Sequence, residues 1–178
     1  TISLRRLVRI TLELADALAR AHHLDILHGN LKPSNVLLAA NGTPRLSDFG
    51  AVTLLKSARS EPDLLSVTLS YTAPEILCGE LADSRADIWA LGALLYDMLT
   101  GQPPFHGKTV SQMLNAPPLP IALLRPDVPP ALEKLVASML EKYPDDRISS
   151  AAQQHPTPAG NGLGQRDQQV PLGHPLPV

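Results

Sequence analysis

Two short stretches hold most of the side chains able to do chemistry: "HGNLKPSN", residues 28–35, and "SDFG", residues 47–50. Asp48 offers a carboxylate and Asn35 an amide oxygen, the oxygen donors that hard cations take. Lys32 offers a cation that stabilises negative charge brought near it. Asn30 offers a neutral amide, which orients a hydroxyl but is no useful base near neutral pH. Singly, each has a plainer reading. Asp48 is then a turn residue before Gly50, Asn35 a loop cap and Lys32 a solvated lysine. His22, His23 and His28 lack acidic or cysteine partners at convincing metal-ligand spacing.

These residues need elements to hold them. Leu7, Ile10, Leu14, Leu18 and Ala21 recur at helical spacing behind Ser3, so a helix over 4–22 with Ser3 as N-cap is expected. Residues 26–35 hold His, Gly, Asn and Pro and read as a loop. Val36 to Leu38 read as a strand, Asn41-Gly42 as a turn and Arg45 to Ser47 as the returning strand. That hairpin sets Asn35 and Asp48 across from each other. Residues 51–75 lack periodicity and read as an extended loop.

A helix over 87–100, apolar nearly all round, is expected to be buried on all sides, with Asp87 as its cap and Gly101 as its terminator. Trp89 and Tyr96 on it are core residues. A short helix is expected over Val110 to Asn115, then a proline-rich connector from Pro117 to Pro130. An amphipathic helix over 130–142 follows, with Leu132, Leu135, Val136, Met139 and Leu140 facing inward. Ser149 to Gln154 begin a final helix. The class is mainly α (α+β), with one small hairpin in a domain over 1–154. Residues 155–178 are rich in Pro, Gly and Gln and read as a disordered tail.

The bulk properties narrow the function. The 178 residues are enough for one domain with a sizeable core. A net charge of -2 offers no strong field for nucleic acid or an anionic membrane. The run from Ile88 to Tyr96 is too short to span a bilayer. Cys78 is the single cysteine, so no internal disulfide forms, which fits a cytoplasmic location. The chain starts at Thr1 and is expected to be a piece of something longer.

The order of motifs resembles the eukaryotic-type protein kinase family. The matching residues are His28, Leu31, Lys32, Pro33 and Asn35; Asp48, Phe49 and Gly50; Ala73, Pro74 and Glu75; Asp87, Trp89 and Gly92; and the late Arg147. The resemblance covers roughly residues 3–154, the C-terminal lobe of the family, in a style similar to bacterial serine/threonine kinases. It implies ATP and Mg²⁺ as cofactors and a protein as substrate or regulatory partner. Asn35 and Asp48 would hold the magnesium, Lys32 would sit near the transferred phosphate, and Leu37 would form the floor under the adenine. It also implies a buried Glu75–Arg147 ion pair and a His28–Phe49 contact.

The departures matter as much. The family has an aspartate where this chain has Asn30, placed to take the proton of the substrate hydroxyl. Gly29 replaces an arginine that pairs with a phosphorylated loop, although Ser66, Thr68 and Ser70 remain modifiable. Thr68 aligns with a threonine that helps hold substrate, and Val67 stands where glycine is usual. The Lys-Pro-Ser-Asn wording favours serine/threonine specificity. No stretch matches the N-terminal lobe: there is no glycine-rich phosphate loop and no Val-Ala-x-Lys strand. Gly107-Lys108-Thr109 resembles the end of a phosphate loop, but Gln102 stands where that motif needs glycine, so a surface turn is expected. The expectation is a catalytically impaired, pseudokinase-like binding or regulatory module. The alternatives are the C-lobe of a weakly active kinase that needs an N-lobe, and a remnant without function.

Overall fold

The computed structural model describes residues 2–49 and 69–148. Its first element is helix α1, Leu4–His22. Ser3 caps it as expected, its Oγ accepting from the Arg6 N–H at 3.4 Å. Leu7, Ile10, Leu14 and Leu18 form one buried stripe.

The loop that follows ends in a single 3₁₀ turn, Pro33–Asn35, and runs into strand β1, Val36–Leu38. Strand β2, Pro44–Leu46, returns antiparallel with Val36 opposite Leu46. It starts one residue before the expected Arg45. Gly42 adopts φ +82° in the turn, a conformation that glycine takes without steric cost. The Asn41 Oδ1 accepts from the Thr43 N–H at 3.0 Å and tightens the turn.

Of the expected loop over 51–75, residues 51–68 lie outside the described residues. Helix α2, Pro74–Leu77, then begins with Pro74 in its first turn. Helix α3, Ser84–Thr100, starts three residues before the expected Asp87. Its cap is Asp83, whose Oδ1 accepts from the Arg85 N–H at 2.8 Å. Asp87 cannot serve as the cap because its carboxylate is turned inward to another partner. Gly101 ends α3 in the left-handed region, its N–H bonded to the Asp97 carbonyl at 2.7 Å.

Helix α4, Val110–Asn115, carries a capping box between Thr109 and Gln112. Thr109 is thus a helix cap, and Gly107 beside it, at φ +66°, makes the expected surface turn. The connector holds an unexpected one-turn helix α5, Ile121–Leu124. Burial of Ile121 holds it, and the Glu133 Oε1 accepts from the Ala122 N–H at 3.1 Å. Helix α6, Pro130–Met139, stops short of the expected residue 142. Val136, Met139 and Leu140 face inward, but Leu135 is exposed, because it points about 100° round the helix from Val136. The expected helix from Ser149 and the tail from His155 lie outside the described residues.

Helix α3 is the axis of the fold. Trp89, Ala93 and Tyr96 pack one core cluster with Phe105, Ile121, Val136 and Leu140. Ala90, Leu91 and Leu94 pack a second with Ile10, Leu14, Leu18, Leu31 and Met139. Helices α3 and α6 meet at Gly92, where an added Cβ would lie 2.7 Å from the Met139 Cβ. Gly92→Val is therefore expected to push the helices apart and destabilise by about 1–3 kcal/mol, read as a lower urea midpoint. An unchanged midpoint would show that the helices give way freely there. No helix among the described residues is long and apolar enough to cross a membrane.

Candidate functional site

The loop over 26–35 is held from beneath by one carboxylate. Asp87 is buried at 1% exposure. Its Oδ2 accepts from the His28 N–H and its Oδ1 from the Gly29 N–H, both at 2.8 Å. The His22 Nε2 lies 2.7 Å from the same Oδ2. A buried carboxylate is tolerated only when its oxygens are satisfied, and here α1, the loop and α3 converge to do so. Gly29 adopts φ +67°, so its lack of a side chain has a backbone reason besides the missing arginine. Leu31, buried at 2%, anchors the loop in the second core cluster.

His28 is wholly buried, and its ring lies 4.5 Å from that of Phe49, the contact expected from the sequence. The Asn30 N–H points to its Nδ1 at 3.4 Å. Its Nε2 has no partner among the described residues. Burial lowers the imidazole pKa below 6.5, with the Asp87 charge opposing in part. An unfolded chain takes up this proton first, so stability is full above pH 6.5 and falls as pH drops through it. The urea midpoint is expected to fall between about pH 7.5 and 5.5 in the wild type, and less in His28→Phe. Equal falls in the two proteins would exclude His28 as the acid-sensitive group.

The hairpin brings the oxygen donors together. The Asn35 carbonyl accepts from the Ser47 N–H at 3.0 Å, which extends the β1–β2 ladder by one step. Asp48 follows directly at φ +60°, a left-handed conformation that aspartate tolerates better than most residues. Its Oδ2 accepts from the Ser47 Oγ at 2.9 Å, and the side chain is exposed. Asn35 is buried, and its Nδ2 donates to the Asn30 carbonyl at 2.8 Å. Among the described residues its Oδ1 accepts only from the Ser34 Oγ, at 3.4 Å. The main chain of Asn30 is therefore tied to Asn35. Lys32 is half-buried just before the 3₁₀ turn. Leu37 is 55% exposed on β1 and presents an apolar face. So the loop and hairpin tie the Asn30 main chain to Asn35 and set Asp48 directly after Ser47, the ladder partner of Asn35, with Lys32 in the same loop and Leu37 on β1.

The donor set suits one hard cation shared with a polyanion. Two protein oxygens, one anionic, are what Mg²⁺ takes when phosphates and water complete its shell. Among the described residues no group of three or more His, Cys, Asp or Glu could cage a metal. His22 bonds to Asp87 and belongs to the scaffold. Its role was not visible in the sequence, because 65 residues separate the two partners.

Behind the site lies the expected ion pair. The Arg147 Nη1 and Nη2 bond to the Glu75 Oε1 and Oε2, each at 2.6 Å. Arg147 also donates to the carbonyls of Glu141, Arg85 and Lys142, at 2.8, 3.0 and 3.2 Å. Its guanidinium lies over the Trp89 ring at 5.1 Å. Lys142 sits 4.1 Å over Phe105 and 5.0 Å over Trp89, and burial holds its ammonium down to about 8. The Tyr71 hydroxyl donates to Asp97 at 2.6 Å, and burial raises its pKa.

A family model described as the protein kinase domain matches residues 1–157. The chain is 35% identical over 159 residues to the serine/threonine-protein kinase PknB of Mycolicibacterium smegmatis, covering 85% of this chain and 25% of that protein. It is 32% identical over 147 residues to Aurora kinase C of Mus musculus, covering 83% of this chain and 52% of the relative. It is 36% identical over 156 residues to the serine/threonine-protein kinase PknD of Mycobacterium tuberculosis, covering 82% and 23%. The chain thus spans about a quarter to a half of these relatives.

Proposed function

Because the chain belongs to the protein kinase domain family, we propose that it is a kinase-like C-terminal lobe impaired in phosphoryl transfer, acting as a binding or regulatory module. The observation that carries this reading is Asn30. Its main-chain carbonyl is held by the Asn35 amide at 2.8 Å, and in the order of motifs it occupies the position where the family has an aspartate base. An amide there accepts a hydrogen bond from a substrate hydroxyl but does not take its proton. General-base catalysis contributes roughly 10²–10⁴-fold, so impairment on that scale follows.

The rest of the site supports retained recognition of a nucleotide. Asn35 and Asp48 would hold Mg²⁺, which neutralises charge on the phosphates when bound. Lys32 would add a cation beside the transferred group, and Leu37 an apolar surface under the base. Retention of this set favours a second reading, the C-lobe of a weakly active, ATP-dependent serine/threonine kinase completed by an N-terminal lobe. The single, exposed Cys78 accords with a reducing compartment such as the cytoplasm.

A thermal-shift titration with ATP, with and without Mg²⁺, tests the metal–phosphate reading. A ligand that binds only the folded state stabilises it by about 2.7 kcal/mol at a hundredfold excess over Kd. A magnesium-dependent rise in Tm, lost in Asp48→Ala, is the expected outcome. No shift at millimolar nucleotide would remove ATP from the proposal and leave a protein-binding role alone.

A further inference from the structure

Helix α1 begins against the usual electrostatics of a helix start. Its first turn carries no acidic residue, and Arg5 and Arg6 occupy positions where the helix dipole favours a carboxylate. Arg6 stands where a glutamate or glutamine would complete a capping box with Ser3. Arg9 follows at spacings that place like charges side by side. Arg9 is neutralised by Glu13, its Nε donating to Oε1 at 2.8 Å. No carboxylate among the described residues pairs with Arg5 or Arg6. A local rule broken without compensation among the described residues points to a role other than stability.

The three arginines, with the Glu13 carboxylate that Arg9 holds, line one wall of an open groove of about 630 Å³ between the start of α1 and the hairpin turn. The Arg6 Nη2 reaches across it, 3.7 Å from where a Cβ on Gly42 would stand. On the far wall Leu38 is 51% exposed beside the turn backbone. Two guanidinium groups without a carboxylate partner among the described residues call for carboxylates or phosphate, anions whose paired oxygens arginine grips with two donors. An exposed leucine among them calls for an aliphatic neighbour, which a small inorganic anion does not provide.

We propose that this groove binds an acidic, extended peptide segment of a protein partner, its carboxylates on Arg5 and Arg6 and an aliphatic side chain against Leu38. Neither Asn35 nor Asp48 lines the groove, so this site and the nucleotide reading stand or fall separately.

The test uses the whole chain and a fluorescein-labelled peptide of repeating Glu-Glu-Leu, with a Lys-Lys-Leu peptide as counterpart. Anisotropy is titrated at low salt and at about 0.15 M, where exposed charges are screened beyond roughly 8 Å. The acidic peptide is expected to saturate, more weakly at the higher salt, and the basic one to show no binding. The double variant Arg5→Glu, Arg6→Glu should weaken binding by about tenfold or more, while Arg45→Glu on β2 leaves it unchanged. The Tm of the double variant should equal or exceed that of the wild type, because carboxylates suit a helix N-terminus. Loss of binding with an intact Tm separates a docking role from a structural one. The proposal is overturned if the wild type does not bind the acidic peptide, or if the double variant binds it equally. Displacement by inorganic phosphate at concentrations comparable to the peptide would also overturn it, since the peptide would then add nothing.

Discussion

Arg147→Ala is expected to lower the stability of the domain by about 3–5 kcal/mol. A guanidinium has five N–H donors, and those of Arg147 meet two carboxylate oxygens and three carbonyls. Truncation leaves the Glu75 carboxylate at 4% side-chain exposure without its Arg147 partner. The same truncation uncovers one face of Trp89. Domains of this size are stable by only about 5–15 kcal/mol, so a large part of the folded population is at stake. The mechanism makes a second, sharper prediction. Removing both charges, as in Glu75→Leu with Arg147→Met, should be milder than Arg147→Ala alone, because no charge is left buried. Urea midpoints of the three proteins decide it. A wild-type midpoint for Arg147→Ala, or a double variant worse than the single, would reject this account.

Asn30→Asp is expected to raise phosphoryl transfer by roughly 10²–10⁴-fold in a protein that joins this chain to a kinase N-terminal lobe. The substitution is nearly isosteric. The main chain at this position is already held by Asn35, and Asn35 by the start of the hairpin. A carboxylate introduced here therefore meets a formed loop. Positioning and charge neutralisation supply most of the catalysis of phosphoryl transfer, so a background rate in the Asn30 protein is compatible with the proposal. Radiolabel transfer to a generic serine/threonine substrate, measured for both proteins, reads the ratio. An unchanged rate would mean that the base is not the only defect, and equal, brisk rates in both would remove impairment from the proposed function.

Much of this was legible in the residues. The stripe of Leu7, Ile10, Leu14 and Leu18 predicts α1 to the residue, because a helix repeats its contacts every turn and writes that period into the chain. Asn41-Gly42 predicts the hairpin, because the turn needs a residue at ease with positive φ. Ladder pairing then brings Asn35 close to Ser47 and Asp48 without further information. The Glu75–Arg147 pair was legible in another way, through the family resemblance alone.

Other features left no such trace. Asp87 reads as a helix cap by every local rule, yet it bonds to a loop 58 and 59 residues away. Leu135 fits the apolar pattern of α6 and still faces solvent, since α3 covers only part of that helix. Helix α5 exists because Ile121 finds a pocket and Glu133 an amide, neither of which is a neighbour in sequence. The groove beside Arg5 and Arg6 forms only once the hairpin turn folds back over the start of α1. Periodicity, turn chemistry and motif order are local, so the chain alone was enough to specify the main helices, the hairpin and the chemistry on offer at Asn30, Lys32, Asn35 and Asp48. Which carboxylate supports the loop, and which arginines stay unpaired, depends on contacts between distant segments, and only the folded core decides those.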